Sequence, residues 1–451
     1  MGQVHAVVLA AGKGKRMNSD IPKVLHPLCG RPLISHVLSV LEEVGVADPI
    51  VVVGHGADGV QAAVAGRARC VEQTQQLGTG HAVMQALPLL AGASGPVLVL
   101  YGDTPLLEPQ TLRTLLARHH ESHAAAAMLT TELDDPAGLG RVLRDPAGRV
   151  RGIVEETDAS ADEAAIREIN AGTYVFGADA LRTALAALTP QNAQGEYYLT
   201  DTIGWLLAQG QTVAAVTAPA DQTMGINSRR ELAAAEGVMR RRILHRLMDD
   251  GVTVVDPAST YVHAGVTVGR DSTIHPQSYL EGATSVGDRC TIGPHARLVD
   301  AIVADDVSIV ASTVEGSHVG EGTQIGPYSH LRPGTRVGRH VSIGNYAEMK
   351  NSTIGDHTRV HHMSYLGDAT VGTRVNIGAG TVTVNYDGTR KHPTVIEDHA
   401  FIGSDTMLIA PIRVGRGAMT GAGSVVNKDV PEGAVVVGVP ARVIRHVTAD
   451  R

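Results

Sequence analysis

Aliphatic residues recur at every sixth position over much of the region from about 252 to 426. The series includes Val268, Ile274, Leu280, Val286, Ile292, Leu298, Val319, Ile325, Leu331, Val337, Ile343, Met349, Ile396, Ile402, Leu408 and Val414. The phase slips by a residue near Val303 and again near Ile354. A period of six fits neither a helix nor an alternating strand, and it predicts a solenoid in which each hexapeptide forms one short strand. A loop-rich β-sandwich, the alternative, would not keep aliphatic residues in phase for so long.

Length and composition limit the possible classes of protein. The chain has 451 residues, which predicts two or three domains, and its net charge of −8 argues against a general nucleic-acid binder. Three cysteines lie far apart without the spacing of a metal site, as is typical of a reducing compartment. No apolar run approaches the ~20 residues of a membrane span. We therefore expect a soluble, cytoplasmic protein with no membrane partner.

The N-terminal half alternates candidate strands with candidate helices. The strands are expected at Val4–Leu9, Ile50–Val53, Val97–Tyr101 and Gly172–Phe176, and the helices at Ile34–Val44, His81–Leu90 and Thr111–His119. This alternation predicts a mostly parallel, Rossmann-like sheet covered by helices. Ligands of such sheets bind beyond the carboxyl ends of the strands, where the Gly12 loop and Asp103 are both expected.

The glycine loop after the first strand fits neither common nucleotide fingerprint. It reads Ala10-Ala-Gly-Lys-Gly-Lys-Arg16, so it lacks the third glycine of a dinucleotide fold and the Ser or Thr of a P-loop. Backbone amides freed by Gly12 and Gly14 can still hold a triphosphate, with Lys13 and Lys15 adding positive charge.

Several motifs around this loop complete a pattern. They are Leu9 to Met17, Pro22-Lys23, Gln73, Leu77-Gly78-Thr79-Gly80-His81, Tyr101-Gly102-Asp103, Gly140, Gly152 to Glu155, Glu168 to Asn170 and Gly225-Ile-Asn227. Together they resemble the sugar-1-phosphate nucleotidylyltransferases over residues 1–228. One departure is Lys15, where relatives commonly carry Thr.

The resemblance implies that a sugar phosphate attacks the α-phosphorus of UTP, with Mg²⁺ present and pyrophosphate released. It implies that Arg16 and Lys23 neutralise phosphates and that Asp103 and Asn227 hold Mg²⁺. The residues implied to bind UTP or the UDP-sugar are Leu9, Ala10, Ala11, Gly12, Lys23, Gln73, Gly78, Thr79, Tyr101, Gly102, Asp103, Gly140, Glu155, Asn170 and Asn227.

Residues 229–250 are charged, rich in Ala and Leu, and free of Pro, which predicts one long linker helix. We expect the run Arg240-Arg241-Arg242 to be a solvated face of this helix. The expected organisation is therefore a nucleotidyltransferase domain over 1–228, the helix over 229–250 and the solenoid over 251–451.

The solenoid carries polar motifs that its coil geometry does not require. They are Arg332-Pro-Gly, Glu348-Met-Lys350, His361 to Asp368, Val375 to Gly380, Thr383 to Gly388 and Gly403 to Thr406. The six-residue phase is lost from Val384 to Thr394, which predicts a loop leaving the coil.

The pattern resembles the hexapeptide-repeat left-handed parallel β-helix, and these motifs resemble the acetyltransferase half of the bacterial bifunctional N-acetylglucosamine-1-phosphate uridylyltransferase / glucosamine-1-phosphate acetyltransferase family. The resemblance implies a homotrimer with acetyl-CoA as co-substrate and His362 as the general base. It implies that Arg332, Lys350, Tyr365 and Asn376 bind glucosamine-1-phosphate, and that Ala379, Asn385, Tyr386, Ser404, Ala422 and Arg442 bind acetyl-CoA.

Two features depart from the family, and one alternative uses the same fold. His361 stands where relatives commonly have a small residue, and Gly438 stands where they usually have an arginine, so Arg442 and Arg445 either bind the cofactor phosphates or cap the last coil. The γ-class carbonic anhydrases use this solenoid with three zinc-binding histidines, but no motif near His330, His357, His361 or His362 supports zinc.

We expect an enzyme that acetylates glucosamine-1-phosphate and then transfers UMP to the product, giving UDP-N-acetylglucosamine for peptidoglycan and lipopolysaccharide precursors. The rival is a nucleotidylyltransferase with one activity, whose solenoid serves only oligomerisation. A purely structural or binding solenoid does not explain the phosphate loop.

Overall fold

The computed structural model describes residues 2–192 and 194–447 and divides into two compact units, 1–239 and 240–451. The boundary falls inside one helix, Arg229–Asp249, which has the extent expected for the linker helix. Among the described residues, no helix has the length and the apolar character needed to cross a bilayer.

The first unit is built on one twisted sheet. Its strands are β1 His5–Leu9, β2 Ile50–Val53, β3 Arg69–Glu72, β4 Pro96–Tyr101, β5 Ala126–Glu132, β6 Arg141–Arg144, β7 Val150–Val154, β8 Glu168–Gly177 and β9 Val213–Thr217. The strand order is β9-β5-β8-β4-β1-β2-β3, and β6 and β7 form a hairpin attached to β8. All pairs along this path are parallel except those of β8, which is antiparallel to both neighbours. The mostly parallel sheet is therefore confirmed.

Helices cover both faces of this sheet. They are α1 Leu33–Glu43, α2 Ala57–Val64, α3 Thr79–Ala86, α4 Pro109–Glu121, α5 Ala178–Ala186, α6 Asp201–Ala208 and α7 Arg229–Asp249, with a single turn at Ala161–Ala164. Two separate apolar clusters fill the faces, one around Leu98 and Leu100 and the other around Val97 and Val99. Because successive side chains of a strand alternate between faces, a fully apolar strand such as β4 belongs to both layers.

The second unit is a solenoid of three parallel walls, which confirms the left-handed β-helix expected from the six-residue period. The first wall contains Thr253–Val254, Thr273–Ile274, Thr291–Ile292, Ser308–Ile309, Gln324–Ile325, Ser342–Ile343, Arg359–Val360, Asn376–Ile377, Phe401–Ile402, Met419–Thr420 and Ala434–Gly438, with Ala441–His446 antiparallel at its edge. The second contains Tyr261–Val262, Tyr279–Glu281, Arg297–Val299, Thr313–Glu315, His330–Leu331, Glu348–Lys350, Tyr365–Gly367, Val382–Val384, Met407–Ile409 and Val425–Val426. The third contains Thr267–Val268, Ser285–Val286, Ile302–Val303, His318–Val319, Arg336–Val337, Thr353–Ile354, Ala369–Val371, Thr394–Ile396 and Ile412–Val414.

Each aliphatic residue of the repeat stacks on the equivalent residue of the next coil. Ile274 pairs with Ile292, Ile292 with Ile309, and Ile309 with Ile325, at intervals of 18, 17 and 16 residues. The shorter intervals are the phase slips seen in the sequence. Small side chains two residues earlier, such as Ser272 and Cys290, are also buried, because the interior is narrow there.

The long interval in the repeat is the expected loop. Ile377 pairs with Ile402 across 25 residues, whereas neighbouring coils need 17 or 18. The additional residues lie between the strands Val382–Val384 and Thr394–Ile396.

The arginine run in the linker helix is only partly solvated, which corrects one expectation. The guanidinium carbon of Arg240 lies 4.5 Å from the centroid of the Tyr261 ring, and Arg240 is half-buried. Tyr261 in turn stacks on Tyr279 with ring centroids 4.9 Å apart. Arg240 therefore packs on the first coils, while Arg241 is exposed as expected.

Adjacent residues of one coil provide a test of this packing. Ile325 points inward and is 3% exposed, whereas Gln324 points outward. Ile325→Ala removes buried methyl groups and should lower the free energy of unfolding of the solenoid by about 2–5 kcal/mol. Gln324→Ala, the matched control, should leave it within about 0.5 kcal/mol. Equal denaturant midpoints for the two variants would contradict the inward register.

Candidate active sites

One lysine brings together three distant parts of the first unit. Lys23 lies in the 3-10 turn Lys23–Leu25, Asp103 follows β4, and Asn227 precedes α7. The Lys23 ammonium forms an ion pair with Asp103 Oδ2 and donates to Asn227 Oδ1 at 2.9 Å. The side chains of Lys23 and Asp103 are only 14% and 13% exposed. Three residues expected at one site therefore converge on a single positive charge.

The chain around this cluster is fixed by hydrogen bonds to the backbone. Ile226 N donates to Asp103 O at 2.9 Å, which joins the end of β4 to the segment before α7. Asn227 N donates to Glu231 Oε2 at 2.7 Å, and Ser228 Oγ donates to the same carboxylate oxygen at 3.0 Å. The first turn of α7 thus positions Asn227.

The glycine loop passes directly over the lysine. Gly14 has a φ of 59°, and a Cβ there would lie 2.8 Å from Lys23 Cβ, so both the conformation and the close approach require glycine. Lys13, Lys15 and Arg16 are exposed on this loop. Within the described part of the chain, Arg16 forms no ion pair, so its charge faces solvent.

The remaining loop residues are part of the strand ends. Ala10 and Ala11 are buried after β1, and Gly102 N donates to Leu9 O at 2.9 Å. Gly12 is exposed, with open space where a Cβ would be. The carboxyl ends of β1 and β4 therefore meet at the edge where Asp103 lies.

The candidate nucleobase residues form a second cluster at the start of α3. Gln73 is buried, and its Nε2 donates to Gly78 O at 3.1 Å. Thr79 Oγ1 accepts from Leu199 N at 3.0 Å, and a Cβ on Gly78 would lie 2.6 Å from Tyr197 O. The segment around Tyr197 to Leu199 thus encloses this cluster, and sequence reasoning missed it.

The candidate sugar residues lie on β8 and the β6–β7 hairpin. Asn170 N donates to Gly140 O at 2.9 Å, and Asn170 Nδ2 donates to Tyr174 Oη at 2.6 Å. Glu155 Oε1 accepts from Thr200 Oγ1 at 3.0 Å, so Thr200 is a further polar residue that the sequence did not indicate.

Tyr101 lies against this hairpin region. Burial raises the pKa of the Tyr101 phenol well above its ordinary value, and the charges of Asp103 and Glu155 raise the pKa further, opposed by the hydroxyl of Thr79. A Cβ on Gly172 would lie 2.9 Å from the Tyr101 ring. Tyr101 is therefore a neutral, tightly packed residue.

In the second unit, four of the expected site residues occupy one corner of successive coils. They are His362, Ala379, Ser404 and Ala422. Gly380 N donates to His362 O at 3.0 Å, Asp405 N to Ala379 O at 2.6 Å, and Gly423 N to Ser404 O at 2.8 Å. We call this row the His362 corner. Since coils are about 4.8 Å apart, the row extends over three coil spacings.

His362 itself is exposed with a φ of 56°. In the described residues its imidazole makes no hydrogen bond, so both nitrogens are free to meet a substrate. The neighbouring ring of His361 lies edge-on, with centroids 5.6 Å apart, and its nitrogen contacts Ser342 Oγ at 2.8 Å. Burial, the charge of His362 and the charge of Arg359 lower the pKa of His361.

Positive charges collect on the second wall beside this corner. Arg332 and Lys350 follow the paired residues Leu331 and Met349, so they are neighbours across two coils. The Lys391 ammonium, from the loop, lowers the pKa of Lys350, and Arg332 lowers that pKa further. Arg332 Nη1 also donates to Glu348 Oε1 at 2.9 Å. Lys391 was not anticipated from the sequence, because the loop alone brings it to this wall.

Tyr365 and Asn385 lie together above a glycine. A Cβ on Gly367 would lie 2.4 Å from Tyr365 Oη and 2.6 Å from Asn385 Nδ2. Asn385 Nδ2 donates to Asp368 Oδ2 at 2.6 Å. Asn376 points outward from the first wall, between Arg359 and Phe401. The corner of His362 joins the walls that carry Tyr365 and Asn376.

The loop is organised around the Asp387 carboxylate. Asp387 Oδ1 accepts from Thr389 N and Arg390 N, both at 2.8 Å, and Oδ2 contacts His392 Nε2 at 2.6 Å. These donors hold the pKa of Asp387 well below its ordinary value. Tyr386 is exposed and donates to Gly388 O at 2.6 Å. The loop is thus a defined structure that presents Tyr386 and Lys391.

The C-terminal tail forms a hairpin on the last coil. Ala441–His446 pairs antiparallel with Ala434–Gly438, placing Arg442 opposite Val437 and Arg445 opposite Val435. Both arginines are exposed. Gly438 has a φ of 101°, which a glycine adopts readily and other residues rarely do.

Across the described ranges, no three His, Cys, Asp or Glu side chains form a group suited to a metal ion. The paired oxygens of Asp103 and Asn227 are a different kind of site, because one carboxylate and one amide already converge on a cation.

Both units match known transferase families. Residues 6–203 match the MobA-like NTP transferase domain. Residues 265–300 and 316–351 match the bacterial transferase hexapeptide of six repeats, and residues 393–428 match the hexapeptide repeat of succinyl-transferase.

Similar proteins cover nearly the whole chain. A relative from Heliobacterium modesticaldum named bifunctional protein GlmU is 51% identical, covering 96% of this chain and 94% of its own length. Relatives of the same name from an Exiguobacterium species and from Listeria monocytogenes are 48% and 45% identical, each over 96% of this chain and over 96% and 95% of their own lengths. The chain therefore belongs to the bifunctional GlmU family, and it joins an NTP transferase domain to transferase hexapeptide repeats in one polypeptide.

Proposed function

We propose that the chain makes UDP-N-acetylglucosamine in two steps. The second unit transfers the acetyl group of acetyl-CoA to the amine of glucosamine-1-phosphate. The first unit then transfers UMP from UTP to the acetylated product and releases pyrophosphate. The observation that carries the proposal is the convergence of Lys23, Asp103 and Asn227 on one point at the carboxyl edge of the sheet.

The first unit supplies charge and position for uridylyl transfer. A phosphate oxygen of the sugar phosphate attacks the α-phosphorus of UTP, and the bond to the pyrophosphate oxygen breaks. Lys23 and Arg16 lie where they neutralise phosphate charge, and the amides near Gly12 contact phosphate oxygens. Gln73, Gly78 and Thr79 read the nucleobase, while Gly140, Glu155 and Asn170 hold the sugar. Such a reaction depends on positioning rather than on a covalent intermediate.

The Asp103 and Asn227 oxygens fit a Mg²⁺ ion. A carboxylate and an amide carbonyl are hard oxygen donors, and in the structure they already share the Lys23 ammonium. When bound, the metal neutralises charge on the triphosphate. The residues of the chain fix the two oxygens, through Ile226 on one side and Glu231 on the other.

The second unit supplies a base and an anion site for acetyl transfer. His362 takes the proton as the glucosamine nitrogen attacks the thioester carbonyl, and coenzyme A leaves as the thiol. Arg332, Lys350 and Lys391 surround the place for the sugar phosphate, with Tyr365 and Asn376 beside the sugar. Asn385 and Tyr386, together with Ala379, Ser404 and Ala422 along the His362 corner, line the acetyl-CoA site.

The acetyl-transfer site calls for further copies of the chain, and we propose a homotrimer. Tyr328, Tyr346 and Met363 occupy the corner position after that of His362 in successive coils and are 59%, 60% and 67% exposed. The two tyrosine rings stack with centroids 5.4 Å apart. A closed three-fold assembly covers this apolar row and encloses the His362 corner in a cleft.

Multi-angle light scattering tests the assembly. We expect the mass of three chains for the active protein, and an active monomer would exclude the trimer. Tyr346→Asp should weaken the assembly and reduce acetyl transfer while uridylyl transfer persists. Arg270→Ala, on an exposed corner of an early coil, is the control.

Incubation with glucosamine-1-phosphate, acetyl-CoA, UTP and Mg²⁺, with each product followed separately, tests the two-step function. Without acetyl-CoA, no nucleotide sugar should form until N-acetylglucosamine-1-phosphate is supplied. Uridylyl transfer without any acetyl transfer would instead support a solenoid that serves only oligomerisation.

The two activities should separate by mutation. Asp103→Asn weakens an oxygen donor and should abolish most uridylyl transfer while sparing acetyl transfer. His362→Ala should do the reverse, reducing acetyl transfer about 10²–10⁴-fold, as loss of a general base does. The measurement is kcat for each half-reaction on the same preparation. Full acetyl transfer by His362→Ala would refute its role as the base.

The tail arginines distinguish two roles. If Arg442 and Arg445 contact the phosphates of acetyl-CoA, replacing both with Ala should raise the apparent KM for acetyl-CoA. A charge-assisted contact is worth about 1.5–3 kcal/mol, or roughly ten- to a hundredfold. Uridylyl transfer should not change, and Arg270→Ala should leave the KM as it is. An unaltered KM in the double variant would favour a role in capping the last coil.

A further inference from the structure

A buried histidine links the two chain segments that carry Lys23 and Asn227. His26 directly follows the turn Lys23–Leu25 and is 1% exposed. Its Nδ1 lies 3.2 Å from Nη1 of Arg229, which is two residues beyond Asn227. A guanidinium can only donate, so His26 Nδ1 is the acceptor and the proton of the neutral imidazole is on Nε2.

The other nitrogen shows that this arrangement has an energetic cost. His26 Nε2 is buried without a hydrogen-bond partner among the described residues. An unsatisfied buried donor costs about 1–3 kcal/mol. Burial, followed by the charge of Arg229, lowers the pKa of His26, opposed by a backbone interaction with Ile21. An aliphatic side chain would avoid this cost but would lose the bond to Arg229.

A second bond and a small core join the same two segments. Cys29 N donates to Glu236 Oε2 at 2.9 Å, two helical turns beyond Arg229. Leu28, Leu33, Leu106, Ile226, Ala235 and Val238 form an apolar cluster separate from the two sheet layers. The first turns of α7 are therefore packed against the segment that follows Lys23, and the His26–Arg229 bond is the polar contact nearest to the active-site residues.

We propose that His26 is a positioning residue for uridylyl transfer, which holds Lys23 in register with Asn227 and Asp103 by accepting a hydrogen bond from Arg229. It does not touch the reacting atoms. A displacement of about 1 Å in a catalytic group can cost up to ~10²-fold in rate. The inference rests on the proposed function, because it assumes that the Lys23 cluster is where uridylyl transfer occurs.

Variants at His26 separate hydrogen bonding from packing. His26→Leu fills the space without an acceptor, whereas the carbonyl oxygen of His26→Asn can replace Nδ1. We expect kcat for uridylyl transfer to fall roughly ten- to a hundredfold in His26→Leu, with KM for UTP nearly unchanged. His26→Asn should restore most of kcat. Acetyl transfer should be unchanged in both variants, since those residues lie in the other unit.

Arg229 keeps the test decisive if the His26 variants do not fold. Arg229 is exposed, so Arg229→Ala removes the donor with little loss of packing, and the equally exposed Arg230→Ala is its control. Arg229→Ala should reproduce the loss of kcat, and combining it with His26→Leu should add nothing.

Three results would overturn the inference: full kcat in Arg229→Ala, equal loss in His26→Leu and His26→Asn, or additive losses in the double variant. Failure of the proposed function is a different result, because the unmodified protein would then lack uridylyl transfer altogether.

Discussion

The stacking of each coil on the equivalent residues of the next is the constraint on which the second unit depends. Because Ile309, Ile325 and Ile343 must pair in parallel register, every outward residue is also placed above its counterpart in the next coil. The wall therefore presents ladders rather than isolated side chains. The His362 corner is one such ladder, so residues from 362 to 422 line one row although they are far apart in the sequence.

The same regularity explains why function depends on the one large interruption. A strict coil keeps Lys391 out of reach of Lys350, since equivalent positions repeat only every 17 or 18 residues. The longer interval between Val384 and Thr394 releases enough chain to turn back on the wall, and the Asp387 carboxylate fixes the shape of that chain. The loop therefore adds a third cation at a position that the repeat cannot supply.

Much of the fold could be predicted because its patterns are local or strictly periodic. The strand Ile50–Val53 has the bounds expected from its apolar run, and the phase slips became 16- and 17-residue coils. The contacts of Tyr197 and Thr200 could not be predicted, since they depend on how a later segment packs over α3 and the hairpin. Arg240 was misjudged for a similar reason, because its aromatic partner Tyr261 lies in the first coils.

The two units solve the problem of placing charge in different ways. In the solenoid, Arg332 and Lys350 are adjacent because the coils repeat, so their separation is set by the strand spacing of about 4.8 Å. In the first unit, no repeat brings Lys23, Asp103 and Asn227 together. Their geometry depends on specific contacts between remote segments, including Ile226 with Asp103 and Arg229 with His26. A coil can thus lose one side chain without losing its register, whereas the Lys23 cluster depends on each bond that joins its segments. Mutations outside the reacting groups should therefore affect the first unit through its linking residues, and the second through its inward-facing aliphatic core.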